Sequence, residues 1–200
     1  MHVLHVFGFA HSVCSNSYHT LSPVSSFWTF LFIISKLPEL GDTVFVVLRK
    51  QKLLFLHYYH HVTVLLFTWY CYADESSTGR WYTSMNYVVH AFMYSYYALR
   101  AMGVRPPRQV AMAITSSQIV QMILGTYVTF YAYMAKRNGQ ECAISDSAIL
   151  AGILMYFSYF VLFANFFRNS YLKSSNKSKD QWFPIFPVFP VNFLLNLFFC

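Results

Sequence analysis

The chain has 200 residues, of which 56% are hydrophobic and 20% aromatic but only 10% charged, where an ordinary soluble domain carries about a quarter charged residues. Its formal net charge of +7 sits in short clusters between apolar blocks of about 20 residues, the length that crosses a bilayer as helix. This distribution argues against a nucleic-acid surface and reads as the orientation signal of an all-α, polytopic membrane helical bundle.

Residues 1–25 hold no Lys, Arg, Asp or Glu and carry His2, His5, His11 and His19 at irregular spacing, so they read as an irregular lead-in rather than a metal site. They lack the basic flank, clean apolar core and small-residue cleavage site of a secretory signal peptide. Cys14, Cys71, Cys142 and Cys200 are scattered, and no disulfide framework is expected from them. The first predicted span, 26–48, places Lys36, Glu39, Asp42 and Thr43 in an apolar frame. Such groups must face inward, with Lys36 and Glu39 either a structural ion pair or direct participants. The basic run RKQK at 49–52 ends it.

The second span, 53–72, opens on LHYYHHV. His57, His60 and His61 fall at i, i+3 and i+4, so three imidazoles crowd onto one helical face. That is costly in an apolar span unless they line a cavity or find partners. The polar turn ADESSTGR follows. In the third span, 81–102, Asn86, His90, Met93, Tyr94 and Tyr97 share one face. A lone histidine there is ordinarily a satisfied core residue, but Asn86 one turn earlier and the preceding three-histidine face point to a shared site. The loop GVRPPRQ stops this helix with Pro106 and Pro107. The fourth span, 110–134, spaces Thr115, Gln118 and Gln121 by three, suited to interhelical hydrogen bonds or to lining a cavity. A fifth span follows at 148–172. The last 20 residues carry Pro184, Pro187 and Pro190, which forbid a continuous helix, and leave an apolar run too short to span.

If the spans alternate, the loops at 49–52 and 100–108 and the tail from Arg168 share one face and hold ten Lys or Arg, against Arg80, Lys136 and Arg137 opposite. The positive-inside rule makes the first face cytosolic and the N-terminus lumenal. The sequon at Asn176 then lies on the wrong side for glycosylation, and the histidine box starts near the cytosolic boundary. HxxHH is a box that membrane di-iron oxidoreductases use in several copies; here the spans offer only His57, His60, His61 and His90, with no second box. The alternative is an imidazole that acts as nucleophile or base on an acyl group.

KLPELGDT (36–43), HYYHH (57–61), NYVVHAFMYSYY (86–97) and TSSQIVQ (115–121) resemble, in order and spacing, the elongation of very long chain fatty acids (fatty acid elongase) family. The likeness covers about residues 12–180 and is greatest to the subgroup acting on saturated and monounsaturated acyl chains such as palmitoyl-CoA.

The resemblance implies a very-long-chain 3-oxoacyl-CoA synthase that condenses long-chain acyl-CoA with malonyl-CoA through an acyl-histidine intermediate, with no metal or redox cofactor. It implies His60 as nucleophile, His90 with Asn86 across the site, and His57 and His61 orienting the box. Lys36, Glu39, Asp42, Tyr94, Tyr97, Gln118 and Gln121 would line or brace the substrate tunnel. It further implies the multi-pass endoplasmic reticulum membrane as location. Expected partners are the lipid bilayer, other elongation-cycle enzymes and homo- or hetero-oligomers of elongases, with no nucleic acid.

Five spans are recognisable against the family's seven. The expected organisation is a lumenal lead-in (1–25), an N-terminally incomplete membrane domain (26–172) and a cytosolic tail (173–200) with a non-family extension that buries a dilysine-like Lys177 and Lys179. Two competing readings are an inactive truncated form that modulates full-length elongases, and a metal-dependent acyl oxidoreductase.

Overall fold

The computed structural model describes residues 2–17, 22–48, 50 and 55–172. Most of RKQK, the sequon, the dilysine pair and the proline-rich end lie outside the described residues. Among the described residues six α-helices follow in order: α1 (His2–Cys14), α2 (Pro23–Leu48), α3 (Phe55–Ala73), α4 (Gly79–Ala101), α5 (Arg108–Arg137) and α6 (Asp146–Phe167), which runs on as one π-turn (Arg168–Leu172). No strand occurs among the described residues.

Local chemistry sets the helix ends. Gly103 takes φ +85° beyond the last turn of α4, and the Val104 N–H bonds back to the Leu99 carbonyl at 3.0 Å, a left-handed closure that suits glycine. Pro107 precedes α5, where its fixed φ is pre-set for a helix start. The Ser145 side chain caps α6 by accepting from the Ala148 N–H at 3.1 Å. Pro38 lies inside α2 and removes one intrahelical hydrogen bond, a loss tolerated where neighbouring helices cover the freed carbonyl.

Helices α2, α3, α6, α5 and α4 contact one another in that cyclic order, a ring with a cavity along its axis. Helix α1 lies outside the ring against α4 and α5. There Phe9 packs on Trp81 and Tyr131, and the Trp81 indole donates to Ser12 Oγ at 3.2 Å. The core joins Phe67 and Cys71 of α3, Tyr82 of α4, Met122 and Val128 of α5, and Met155, Tyr156 and Tyr159 of α6. Outward faces are apolar, as at Leu66, Phe92, Leu154 and Phe157, while Lys36, Asn86, Thr115, Gln121 and Thr129 are buried. This is the inverse of a water-soluble surface.

Three expectations change. The lead-in contains a helix, His2–Cys14, broken at Gly8 (φ 79°), because an uncharged apolar run finds α4 and α5 to pack against. Cys14 and Cys142 form a disulfide across 128 residues, a pairing that spacing cannot reveal because only the fold brings the two together. Among the described residues, one helical stretch, Asp146–Leu172, is long and apolar enough by composition alone to cross a membrane. The other predicted spans form helices within a few residues of their expected bounds. Their buried charges, histidines and many tyrosines lower their mean hydropathy, so helix formation does not by itself establish five crossings.

Candidate functional site

Three helices assemble the polar centre of the ring. On α2, Lys36 is 2% exposed. Its Nζ donates to Glu39 Oε1 at 2.6 Å and to Asn86 Oδ1 of α4 at 3.0 Å, and lies 4.4 Å from the Phe32 ring centroid. A buried ammonium requires this degree of pairing. Glu39 Oε1 also faces His90 Nδ1 at 4.0 Å, so the ion pair, Asn86 and His90 form one group. The turn from 36 to 39 on α2 and the turn from 86 to 90 on α4 place these side chains toward each other.

Helix α3 supplies the histidines. The rings of His57 and His61 lie 4.5 Å apart, and those of His60 and His61 5.5 Å. His60 is within electrostatic reach of His90, His57 and Lys36, and His90 of Lys36 and His61. The four histidines therefore converge with the α2 carboxylate and ammonium. Among the described residues, no three His, Cys, Asp or Glu side chains adopt an arrangement suited to holding a metal ion.

His60, Asn86 and Gln121 line the axial cavity with Phe67, Tyr82, Tyr156 and Tyr159. It continues to Cys71 and Tyr72 at the far end of α3, roughly 16 Å from His60 at the helical rise per residue. Its free volume is about 50 Å³, room for little more than a water or two. An acyl tail entering it must displace side chains. The chemistry available is an imidazole at one end of a long apolar slot, flanked by an amide and a buried ion pair.

The remaining expected site residues divide. Asp42 and Tyr94 share a hydrogen bond, and Tyr94 packs on both His90 and Tyr97, so this group continues the polar layer away from the cavity. Gln118 does not join His60. It donates to Met93 Sδ at 3.5 Å and lines a separate small pocket with Tyr97 and Thr115. Its three-residue step from Gln121 turns it by about 60° around α5, enough to face α4 instead of the axis.

Sequence reasoning missed Tyr159 and Thr63. Thr63 Oγ1 donates to the Tyr59 carbonyl at 2.6 Å, and the Tyr159 hydroxyl meets Thr63 Oγ1 at 2.6 Å and the His60 carbonyl at 3.3 Å. The Tyr159 ring lies 4.9 Å from the His60 ring. The available signal was Tyr156 and Tyr159 at i, i+3 on the fifth span, the spacing that puts both on one face.

The opposite end of the ring is laced shut. The Ala143 N–H donates to the Cys14 carbonyl at 2.9 Å and the Ser77 N–H to the Ala143 carbonyl at 2.7 Å, beside the Cys14–Cys142 disulfide. Asp74 Oδ2 accepts from Ser76 Oγ at 2.6 Å and from the Ser145 N–H at 3.3 Å.

Residues 1–179 match the ELO: GNS1/SUR4 family. The chain is 52% identical over 174 residues to a protein named very long chain fatty acid elongase 6 from Drosophila melanogaster, covering 86% of this chain and 55% of the relative. It is 49% identical over 179 residues to the Gallus gallus protein of that name, covering 90% and 67%. The Homo sapiens protein of that name is 48% identical over 178 residues, covering 89% and 66%. The chain thus spans between about half and two thirds of the length of these relatives. No solved structure matches it. The family match over all the described residues, together with the in-order motifs that build the polar centre, establishes that the chain belongs to the ELO (GNS1/SUR4) family.

Proposed function

We propose that the chain carries the condensing site of fatty acid elongation: it joins a long-chain acyl-CoA to malonyl-CoA, giving 3-oxoacyl-CoA, carbon dioxide and free CoA. The observation that carries this reading is His60, placed at one end of a long apolar cavity with Asn86 and Gln121 beside it and His90 and Lys36 in reach. The relatives named above are elongases by name, which supports the reaction class.

In the first step the His60 imidazole attacks the thioester carbonyl. An N–C bond forms, the C–S bond breaks, and the departing thiolate takes up the proton that the imidazole loses. Malonyl-CoA then loses carbon dioxide, and the resulting enolate carbon attacks the acyl-imidazole. A C–C bond forms, the C–N bond breaks, and the departing imidazolide of His60 takes a proton from solvent, the one proton the decarboxylative condensation consumes. In this reading His90, whose Nδ1 lies 4.0 Å from Glu39 Oε1, and Asn86, whose Oδ1 accepts from Lys36, stabilise the enolate oxygen. His57 and His61 orient the box. Neither step calls for a metal or a redox cofactor.

The proposal includes a multi-pass location in the endoplasmic reticulum membrane, with the histidine end toward the cytosol and the disulfide end toward the lumen. A disulfide at that end fits an oxidising compartment. Oligomers with other elongases and contact with other enzymes of the cycle belong to the same proposal.

The test is incorporation of labelled malonyl-CoA into 3-oxoacyl product, in membranes expressing this 200-residue chain with palmitoyl-CoA, beside a His60→Ala control of matched expression. Product that drops at least about 100-fold in the control is expected. Product that survives the substitution removes His60 as nucleophile, and no product from the inserted parent chain removes the activity.

A further inference from the structure

Partway along the cavity, Phe67, Tyr82 and Tyr156 from three helices form an aromatic collar in its wall. Ring centroids of Phe67 and Tyr82 lie 6.0 Å apart, and those of Tyr82 and Tyr156 5.1 Å. Phe67 is seven residues beyond His60, roughly 10 Å along α3, and the cavity continues past it to Cys71 and Tyr72.

Two glycines seat this collar. Gly125 lies inside α5, where glycine is disfavoured against alanine and so needs a packing reason. A Cβ added there would stand 2.5 Å from Tyr156 Cε1 and 2.6 Å from its Cζ. At Gly152 on α6, an added Cβ would meet Phe67 Cζ at 3.4 Å and Thr129 Cγ2 at 3.3 Å. The third ring, Tyr82, is fixed by its hydroxyl to Thr129 Oγ1 at 2.6 Å, and that threonine in turn donates to the Gly125 carbonyl at 2.8 Å. The Tyr156 ring therefore occupies the space a side chain on Gly125 would fill, and its other neighbours are packed core. The cavity, which Tyr156 lines, is free space into which the ring can be pushed.

We propose that Gly125 is the gauge of this collar: by letting Tyr156 recede into α5, it holds the waist open for acyl tails long enough to pass it, and so sets which chain lengths the site accepts. This rests on the acyl-CoA reading above. A methyl at 125 drives the ring inward by roughly 1 Å to restore ordinary contact distance, which closes a slot of about 50 Å³.

The experiment compares the parent chain, Gly125→Ala and the double variant Gly125→Ala/Tyr156→Leu in membranes, with octanoyl-CoA and palmitoyl-CoA. In Gly125→Ala, product from palmitoyl-CoA is expected to fall about tenfold or more, while product from octanoyl-CoA, whose tail stops short of the collar, changes less than about threefold. The double variant, with a smaller side chain at 156, is expected to recover the palmitoyl product. Equal losses for both substrates without recovery, or no loss at all, overturn the proposal. A second readout needs no turnover: palmitoyl-CoA bearing a terminal diazirine is photolysed in the same membranes and the labelled peptides identified. In the parent chain the label is expected beyond the collar, on residues 71–79, and in Gly125→Ala on the His60 side of it. Parent chain labelled nowhere beyond the collar overturns the proposal even if condensation is absent.

Discussion

The two ends of the helix ring are both polar, yet they treat their polar atoms differently. At the disulfide end, three segments far apart in sequence are bound backbone to backbone through Cys14, Ser77 and Ala143 and covalently through Cys14 and Cys142. Buried side-chain atoms without a hydrogen-bond partner among the described residues include Ser77 Oγ at the disulfide end, but at the histidine end they comprise a carboxylate oxygen and two imidazole nitrogens, Glu39 Oε2, His57 Nε2 and His61 Nδ1, together with Thr43 Oγ1. Buried polar atoms left in that state are rare and require a reason. One end is arranged for rigidity. The other leaves a carboxylate and imidazoles uncommitted near a cavity, as a site that must receive substrate requires.

Substitutions at Lys36 should produce the largest stability effect of the comparison. Lys36→Met leaves the Glu39 carboxylate buried beside Asn86 with its cation gone, at a cost of about 3–5 kcal/mol. Lys36→Met/Glu39→Gln removes both charges and should recover most of that loss, as measured by thermal unfolding of the detergent-solubilised chain. If the single variant is as stable as the parent, the pair is not the element that organises the histidine end.

At the other end, Cys14→Ser opens a link spanning 128 residues. The expected cost is about 2–4 kcal/mol, largely because the unfolded chain regains freedom. Because the disulfide lies far from His60, the variant should keep the parent's dependence on acyl length at temperatures where it stays folded. A changed preference between octanoyl-CoA and palmitoyl-CoA would show that the lacing shapes the cavity and does more than fasten the helices.

Much of this contrast was legible in the sequence at one end only. The inward stripe of Lys36 and Glu39, the three-histidine face and the pairing of Asn86 with His90 all follow from helical periodicity, which is local. Which helix faces which is not local. That Asn86 bonds Lys36 fifty residues away, that Gln118 turns toward Met93 while Gln121 reaches the axis, and that Cys14 meets Cys142 depend on the cyclic order of the helices. Gly125 could be seen as an oddity inside a helix, but its purpose depends on Tyr156 of another helix.

Tyr159 sharpens the comparison from within the histidine end, and its effect should be the smallest. Its hydroxyl ties α6 to the first turns of α3 through Thr63 and the His60 carbonyl. Tyr159→Phe keeps the ring against His60 and removes only that tie. Thr63 retains its bond to the Tyr59 carbonyl, so no buried hydroxyl is orphaned, and the loss should be near the average for an interhelical hydrogen bond in membrane proteins, about 0.6 kcal/mol. Condensation should fall less than about tenfold, since a shift of the histidine helix misplaces His60 without removing it. A loss as deep as that of His60→Ala, at unchanged stability, would instead give the hydroxyl a part in the proton transfers. The polar layer at the histidine end would then extend across the cavity to α6.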